Sequence, residues 1–188
     1  LRTRRQRQMC IRDRYDNEGN QNWIKLLNSP DKSDVVSDSV ISKDGNLYVT
    51  GSTEGNLNGE INKGSRDIFI SKIDQTGDLV WTRLSGTVTA DEASSITLDD
   101  EENIYIGGYT NGNLDDKSKI GPLGQPDAFL IKYDEDGRKL WTNIFGADSI
   151  YSDDSLHSLV FSKDGNIYGA GTTQFETFGN SNIFIKSF

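Results

Sequence analysis

Three sets of short motifs recur along the chain in one fixed order and with a shared period, and this constrains the fold more than any other feature. The first is an acidic turn that leads to tryptophan. It runs from Asp16-Asn17-Glu18-Gly19 to Trp23, from Asp74-Gln75-Thr76-Gly77 to Trp81, and from Asp134-Glu135-Asp136-Gly137 to Trp141. The tryptophans are 58 and 60 residues apart. The second set is DGNLYVTGST from Asp44, EENIYIGGYT from Glu101 and DGNIYGAGTT from Asp164. The third is RDIFISKID from Arg66, PDAFLIKYD from Pro126 and SNIFIKSF from Ser181. Self-similarity at such a period marks a stack of supersecondary units, each covering its neighbour's apolar face.

Each unit reads as strands. Apolar and β-branched stretches are bounded by Gly, Asn and Asp clusters, the signature of strands joined by tight turns. One period predicts Val35–Ser42, Leu47–Gly51, Ile68–Ile73 and Leu79–Leu84, and the next predicts Ala93–Leu98, Ile104–Gly108, Ala128–Tyr133 and Lys139–Ile144. Gly45 and Gly165 sit between strands, where positive φ lets a hairpin close without a Cβ clash. In the middle copy Glu101-Glu102 replaces Asp-Gly, so a looser or differently built turn is expected there. A four-stranded antiparallel meander per repeat is one propeller blade. The fold class is therefore all-β, a partial β-propeller of about three four-stranded antiparallel blades, with approximate units at 15–72, 73–132 and 133–188.

These residues resemble the SBBP type of β-propeller repeat. The resemblance rests on Asp127-Ala128-Phe129, the turn Asp134 to Gly137, Trp141, Asp154, and Asp164-Gly165-Asn166-Ile167-Tyr168 running to Thr173. It covers nearly all of residues 15–188 and is specific for fold rather than for function. Gly55-Asn56-Leu57-Asn58-Gly59 and Gly112-Asn113-Leu114-Asp115 are similar to a common sub-type, from which the third copy departs with Phe175-Glu176-Thr177-Phe178-Gly179. Such repeats imply a large surface or secreted protein, so an extracellular or cell-envelope location is expected. Propellers use about four to eight blades. Further blades are therefore expected in the full-length chain, with self-association of a partial ring as the alternative.

Charge narrows the partners. Residues 1–14 hold six basic residues and one acid, about +5, which leaves 14 basic and 28 acidic residues, or −14, in the rest of the chain. An acidic body repels phosphate backbones, so no nucleic-acid partner is expected. The basic segment 1–14 lacks the apolar stretch of a signal peptide. It reads as a disordered or non-native arm and is set apart from the repeats. Cys10 is the only cysteine, which excludes an internal disulfide and a thiolate metal cluster. No apolar run reaches the eighteen residues of a transmembrane segment.

Several residues recur in register and are candidates for chemistry. Asp34, Asp91 and Asp154 each lie ten residues before the start of the second motif, which puts them near the start of an inner strand by the central channel. They are either a carboxylate ring for a cation such as Ca2+, an oxygen-seeking ion, or acceptors of backbone N–H bonds in the loop entering each strand. The local role is preferred, and no other cofactor is expected. Trp23, Trp81 and Trp141 could stack on a sugar, but their fixed register points to packing between blades. Tyr48, Tyr105 and Tyr168 follow the same logic. His157 stands alone where the other copies have Ser37 and Ser94, and no G-x-S-x-G, H-E-x-x-H or phosphate-loop motif accompanies it.

Repetition without a singular site points to a non-enzymatic structural or interaction module of a larger protein, binding a protein or glycan partner through its loops. The alternative is a fragment of a propeller enzyme, of lactonase or quinoprotein-like kind, whose catalytic residues lie in other blades. That alternative rests on fold analogy alone.

Overall fold

The structure, a computed structural model, describes residues 10–30, 32–122, 124–147, 153–174 and 181–188. The third-copy loop at Phe175–Gly179 lies outside the described residues. The described residues form thirteen strands and no helix. Strands β3 (Asp34–Ile41), β4 (Leu47–Thr53), β5 (Asp67–Ile73) and β6 (Leu79–Ser85) pair in that order as one antiparallel sheet. Strands β7 (Asp91–Leu98), β8 (Ile104–Thr110), β9 (Asp127–Tyr133) and β10 (Lys139–Phe145) repeat it. Strands β11 (Ser155–Phe161), β12 (Ile167–Gln174) and β13 (Ser181–Ser187) form a three-stranded sheet, and β1 (Cys10–Tyr15) pairs with β2 (Gln21–Leu27).

Every predicted strand is present, with ends moved by one or two residues. The sheets run 34–85 and 91–145, so they follow the predicted grouping of strands; the units 15–72 and 73–132 straddle them. The segment 1–14 is not wholly separate from the fold. Residues 10–14 are laddered to β2, with Arg14 opposite Trp23, because β2 carries the fourth-strand motif and the turn at Asp16–Asn20 folds the preceding chain back onto it.

Apolar side chains on both faces of the middle strands drive the sheets together. Strands β5 and β9 are buried at all but one residue, whereas β6 and β10 are largely half-buried or exposed. Ile68, Ile70 and Tyr48 of the first full sheet meet Ala93, Ile96, Ile106 and Phe129 of the second in one continuous core. Leu130, Tyr105, Leu156 and Leu159 form the corresponding core at the next junction.

The turn at Glu101-Glu102 corrects the expectation of a different build. Glu102 takes φ 63°, the place that Gly45 takes at 76° and Gly165 at 83°. Its N–H donates to the Asp99 carbonyl at 3.1 Å, just as Gly45 N–H reaches the Ser42 carbonyl at 2.9 Å. A side chain is tolerated there because the preceding sheet leans on it. Lys43 N–H donates to Glu102 Oε1 at 3.3 Å, and Lys43 Nζ donates to the Asp100 carbonyl at 2.7 Å. The left-handed conformation still disfavours a non-glycine residue by about 1 kcal/mol. Glu102→Gly is therefore expected to raise unfolding stability by up to about 1 kcal/mol in urea titrations; a destabilised variant would show that the Lys43 contact outweighs the backbone strain.

Candidate functional site

The alternation of turns sorts the sheets' two ends. Tight turns at Ser42–Asn46 and Asp74–Asp78 close one end, while the longer 54–66 and 111–126 loops and the connectors between sheets lie at the other. The recurrent residues divide between these ends.

The tryptophans serve the seam at the tight-turn end. Tyr48, Lys72 and Trp81 face one another across β4, β5 and β6, and Tyr105, Lys132 and Trp141 repeat the row across β8, β9 and β10. Tyr48 and Trp81 rings lie 6.0 Å apart, and Tyr105 and Trp141 rings 5.9 Å apart. Lys72 Nζ sits 5.5 Å from the Tyr48 ring, and Lys132 Nζ 4.9 Å from the Tyr105 ring. Trp23 and Trp81 then lean on the acidic turn of the next sheet. A Cβ at Gly77 would lie 2.8 Å from the Trp23 ring, and one at Gly137 3.0 Å from Trp81. Arg83 ties the same contact, with Nε 3.2 Å from the Gly137 carbonyl. The Trp23 and Trp81 rings are half-buried and packed against the apolar cores, whereas Trp141 is exposed at 37 %.

The three predicted carboxylates sit at the loop end, each at or beside the start of a first strand, and each is buried. Asp34 accepts from Ser29 N–H at 2.6 Å, from Ser29 Oγ at 2.8 Å and from Thr53 Oγ1 at 2.5 Å. Asp91 accepts from Thr87 N–H at 2.6 Å, from Thr87 Oγ1 at 2.9 Å and from Thr110 Oγ1. Asp154 accepts from Ala147 N–H at 2.8 Å, while its Oδ1 and Thr173 Oγ1 have no hydrogen-bond partner. The three are used one by one in their own connectors. Among the described residues no group of three or more His, Cys, Asp or Glu side chains could hold a metal ion, so the predicted ring is not assembled.

Two further carboxylates complete this polar belt. Asp67 and Asp127 open the third strands, opposite Thr53 and Thr110, and both are fully buried. They recur 60 residues apart, a period that could have singled them out. Burial pushes the carboxyls of Asp67, Asp91 and Asp127 upward, and the Asp91 and Asp154 charges across the junctions add to it for Asp67 and Asp127. Gly86 and Gly146 are glycines because these carboxylates lie against them; a Cβ on Gly86 would be within 2.3 Å of Asp67 Oδ1.

A third polar relay joins the first strands. Each carries a β-bulge at Ser37, Ser94 or His157, which re-aims the residues that follow. Asp38 then accepts from Ser95 Oγ and Ile96 N–H, both at 3.0 Å, and Ser95 Oγ accepts from Leu159 N–H at 3.1 Å. His157 itself is exposed, with Nε2 3.0 Å from Thr172 Oγ1.

Residues 22–58 and 80–115 match the SBBP β-propeller repeat family. The matched stretches span Trp23 to the Asn58 turn and the Trp81 strand to Asp115, so they include Trp23, Asp34, Tyr48, Trp81, Asp91 and Tyr105 but neither Asp67 nor Asp127. The chain is also similar to the regulatory protein FlaEY of Caulobacter vibrioides, with 28% identity over 169 residues that take in 84% of this chain and 17% of that protein. Among solved structures it is similar to a protein of unknown function from Bacteroides caccae, with TM-score 0.46 and 11% identity over 89% of this chain and 51% of the other. It is similar as well to the periplasmic gluconolactonase PpgL of Pseudomonas aeruginosa, with TM-score 0.46 and 14% identity over 94% of this chain and 49% of the other.

The turn at Asp164 in the third copy carries a measurable signature. Tyr168 is half-buried, and its hydroxyl donates to Asp164 Oδ2 at 2.8 Å, which holds the Asp164 carboxyl down at about 2. Carboxyl NMR titration is expected to find that low value, and Tyr168→Phe should return it toward the ordinary 3.8. A wild-type value already near the ordinary one would refute the contact.

Proposed function

We propose that the chain is a non-enzymatic interaction module of a larger extracellular or cell-envelope protein, and that it engages a protein or glycan through the loop end of its sheets. One observation carries this reading: the frame is constant while the loop end varies. The loops at 54–66 and 111–126 share the buried Leu57 and Leu114, and a backbone N–H six residues on that donates to Asn56 Oδ1 or Asn113 Oδ1, yet they hold thirteen and sixteen residues. Loops on a rigid scaffold are where recognition residues concentrate. At this end Ile61 is 73 % exposed and Val88 81 % exposed, and Gly64 packs directly against Thr87 and Val88, which brings the loop and the connector side by side. Arg66 stands beside them, paired with Glu54 at 2.9 Å and Glu92 at 2.5 Å.

The description of FlaEY as a regulatory protein supports a role in interaction, although this chain spans only 17% of that relative's length. The acidic body favours a partner without a phosphate backbone.

The test is a glycan array and an envelope-protein capture, each run with the wild-type chain and with the Ile61→Ser/Val88→Ser double variant. Binding by the wild type is expected to fall at least tenfold in the variant, while its melting temperature stays unchanged because both side chains are solvent-facing. Binding indifferent to the double variant, or turnover of a sugar lactone by the chain, would overturn this reading.

A further inference from the structure

The residue that ends each fourth strand packs against the following sheet, and the chemistry of that contact changes from one boundary to the next. Leu27 ends β2 and shares an apolar core with Ile73, which ends β5, and Leu79, which begins β6. Ser85 ends β6 and meets the corresponding residues of the second full sheet, Tyr133 and Lys139. Lys139 Nζ donates to Ser85 Oγ at 2.5 Å and lies 5.8 Å from the ring of the buried Tyr133. Phe145 ends β10 and meets Phe188, just past the end of β13, with ring centroids 5.2 Å apart and Lys186 Nζ 4.6 Å from the Phe145 ring. The first contact is aliphatic, the second charged and hydrogen-bonded, the third aromatic.

The loops follow the same division. Asn58 and Asp115 occupy equivalent places, with φ 50° and 51°. Asn58 Nδ2 donates to Thr82 Oγ1 at 3.0 Å. Asp115 Oδ2 instead accepts from Thr142 Oγ1 at 2.6 Å and from Lys139 Nζ at 2.5 Å. Carboxylate and ammonium therefore enter the second full sheet together, where the first has Asn58 and Leu79. The loop end differs as well. Asn62 stands where Lys119 stands, since Asn62 N–H donates to Asn56 Oδ1 at 3.0 Å as Lys119 N–H does to Asn113 Oδ1 at 2.9 Å, but only Lys119 brings an ammonium, 3.2 Å from Asp127 Oδ1.

Apolar burial is non-directional, and the third strands present nearly the same faces, Ile68-Phe69-Ile70 and Ile183-Phe184-Ile185. Such faces do not tell one neighbour from another, and misassembly between units is a characteristic failure of repeat chains. A half-buried ammonium does discriminate, because a neighbour without an acceptor leaves one of its donors unmade. We propose that Lys139, Asp115 and Tyr133 form a key by which the second full sheet accepts a neighbour whose fourth strand ends in the Ser85 hydroxyl and rejects one whose fourth strand ends in leucine or phenylalanine. The boundary chemistry thereby sets the order of the sheets. The key lies between sheets and away from the exposed loop tips, so it is independent of the interaction reading.

The experiment is thermal unfolding of the full chain with the key broken and then rebuilt in its aliphatic form. Ser85→Leu sets the residue of the first contact against Lys139 and is expected to lower the melting temperature by roughly 5 °C or more. Adding Tyr133→Ile, Lys139→Leu and Asp115→Asn reproduces the set of Ile73, Leu79 and Asn58. This fourfold variant is expected to recover more than roughly half of the loss, a coupling that independent sites do not show. If Ser85→Leu alone does not fold, folding of the fourfold variant is the expected rescue. Ser85→Leu as stable as the wild type, or a fourfold variant that recovers less than roughly half of the loss or does not fold, would overturn the proposal.

Discussion

A sheet that is apolar on both faces cannot stand alone in water, and in this chain each sheet is covered by the next one along the sequence. The middle strands make the point: β5 and β9 carry Ile68-Phe69-Ile70 and Ala128-Phe129-Leu130-Ile131, apolar residues with no solvent side. Burial at about 25 cal/mol per Å2 of apolar surface makes such faces the main source of stability. It also removes independence from the sheets. The row of Tyr48, Lys72 and Trp81 shows how: each ring or ammonium that leaves the first full sheet comes to rest on the 134–137 turn of the second.

Apolar contact alone would let the sheets slide, and the polar connections oppose that. Asp91 N–H donates to the Arg66 carbonyl at 2.8 Å and Asp154 N–H to the Pro126 carbonyl at 2.9 Å, so each first strand is bonded to the chain preceding a third strand of the sheet before it. The carboxylates of Asp34 and Asp91 then fasten the connector to the second strand through Ser29 and Thr53, or through Thr87 and Thr110. Near the bulges, Asp38 and Ser95 reach the backbone of the next first strand. Directional bonds to buried groups fix register because leaving them unmade costs more than making them contributes. The loop end inherits this rigidity, which is what allows short exposed segments such as 60–63 to present a defined surface.

The repeat made the strands and the SBBP pattern legible, since period-2 apolar runs and turn glycines act locally. The roles of Asp34 and Asp91 as acceptors in their connectors were legible for the same reason: partner and acceptor lie four or five residues apart. What the sequence hid was contact between sheets. At the shared position of Asp38, Ser95 and Ser158 only the first copy is acidic, so no pattern announces the relay that starts at the bulge. Glu102 looked like a broken turn because glycine was absent, yet the support that keeps its backbone in place comes from Lys43, 59 residues away. Lys119 and Asn62 looked like unrelated loop residues until the backbone bonds to Asn113 and Asn56 aligned them. The register of the tryptophans points to packing between blades, and the contacts of Trp23 with Gly77 and of Trp81 with Gly137 show how far that cover extends, with Arg83 over the Trp81 ring.

Amide hydrogen exchange in wild type and Trp81→Ala tests most directly whether neighbouring sheets stabilise one another. Trp81 belongs to the first full sheet and leans on the second. If the seam couples them, the substitution lowers the protection of Val49 in β4 and Ile106 in β8 by similar factors, about tenfold or more. Loss of protection at Val49 with Ile106 unchanged would mean that the sheets fold as separate units, and the account of mutual coverage would be wrong.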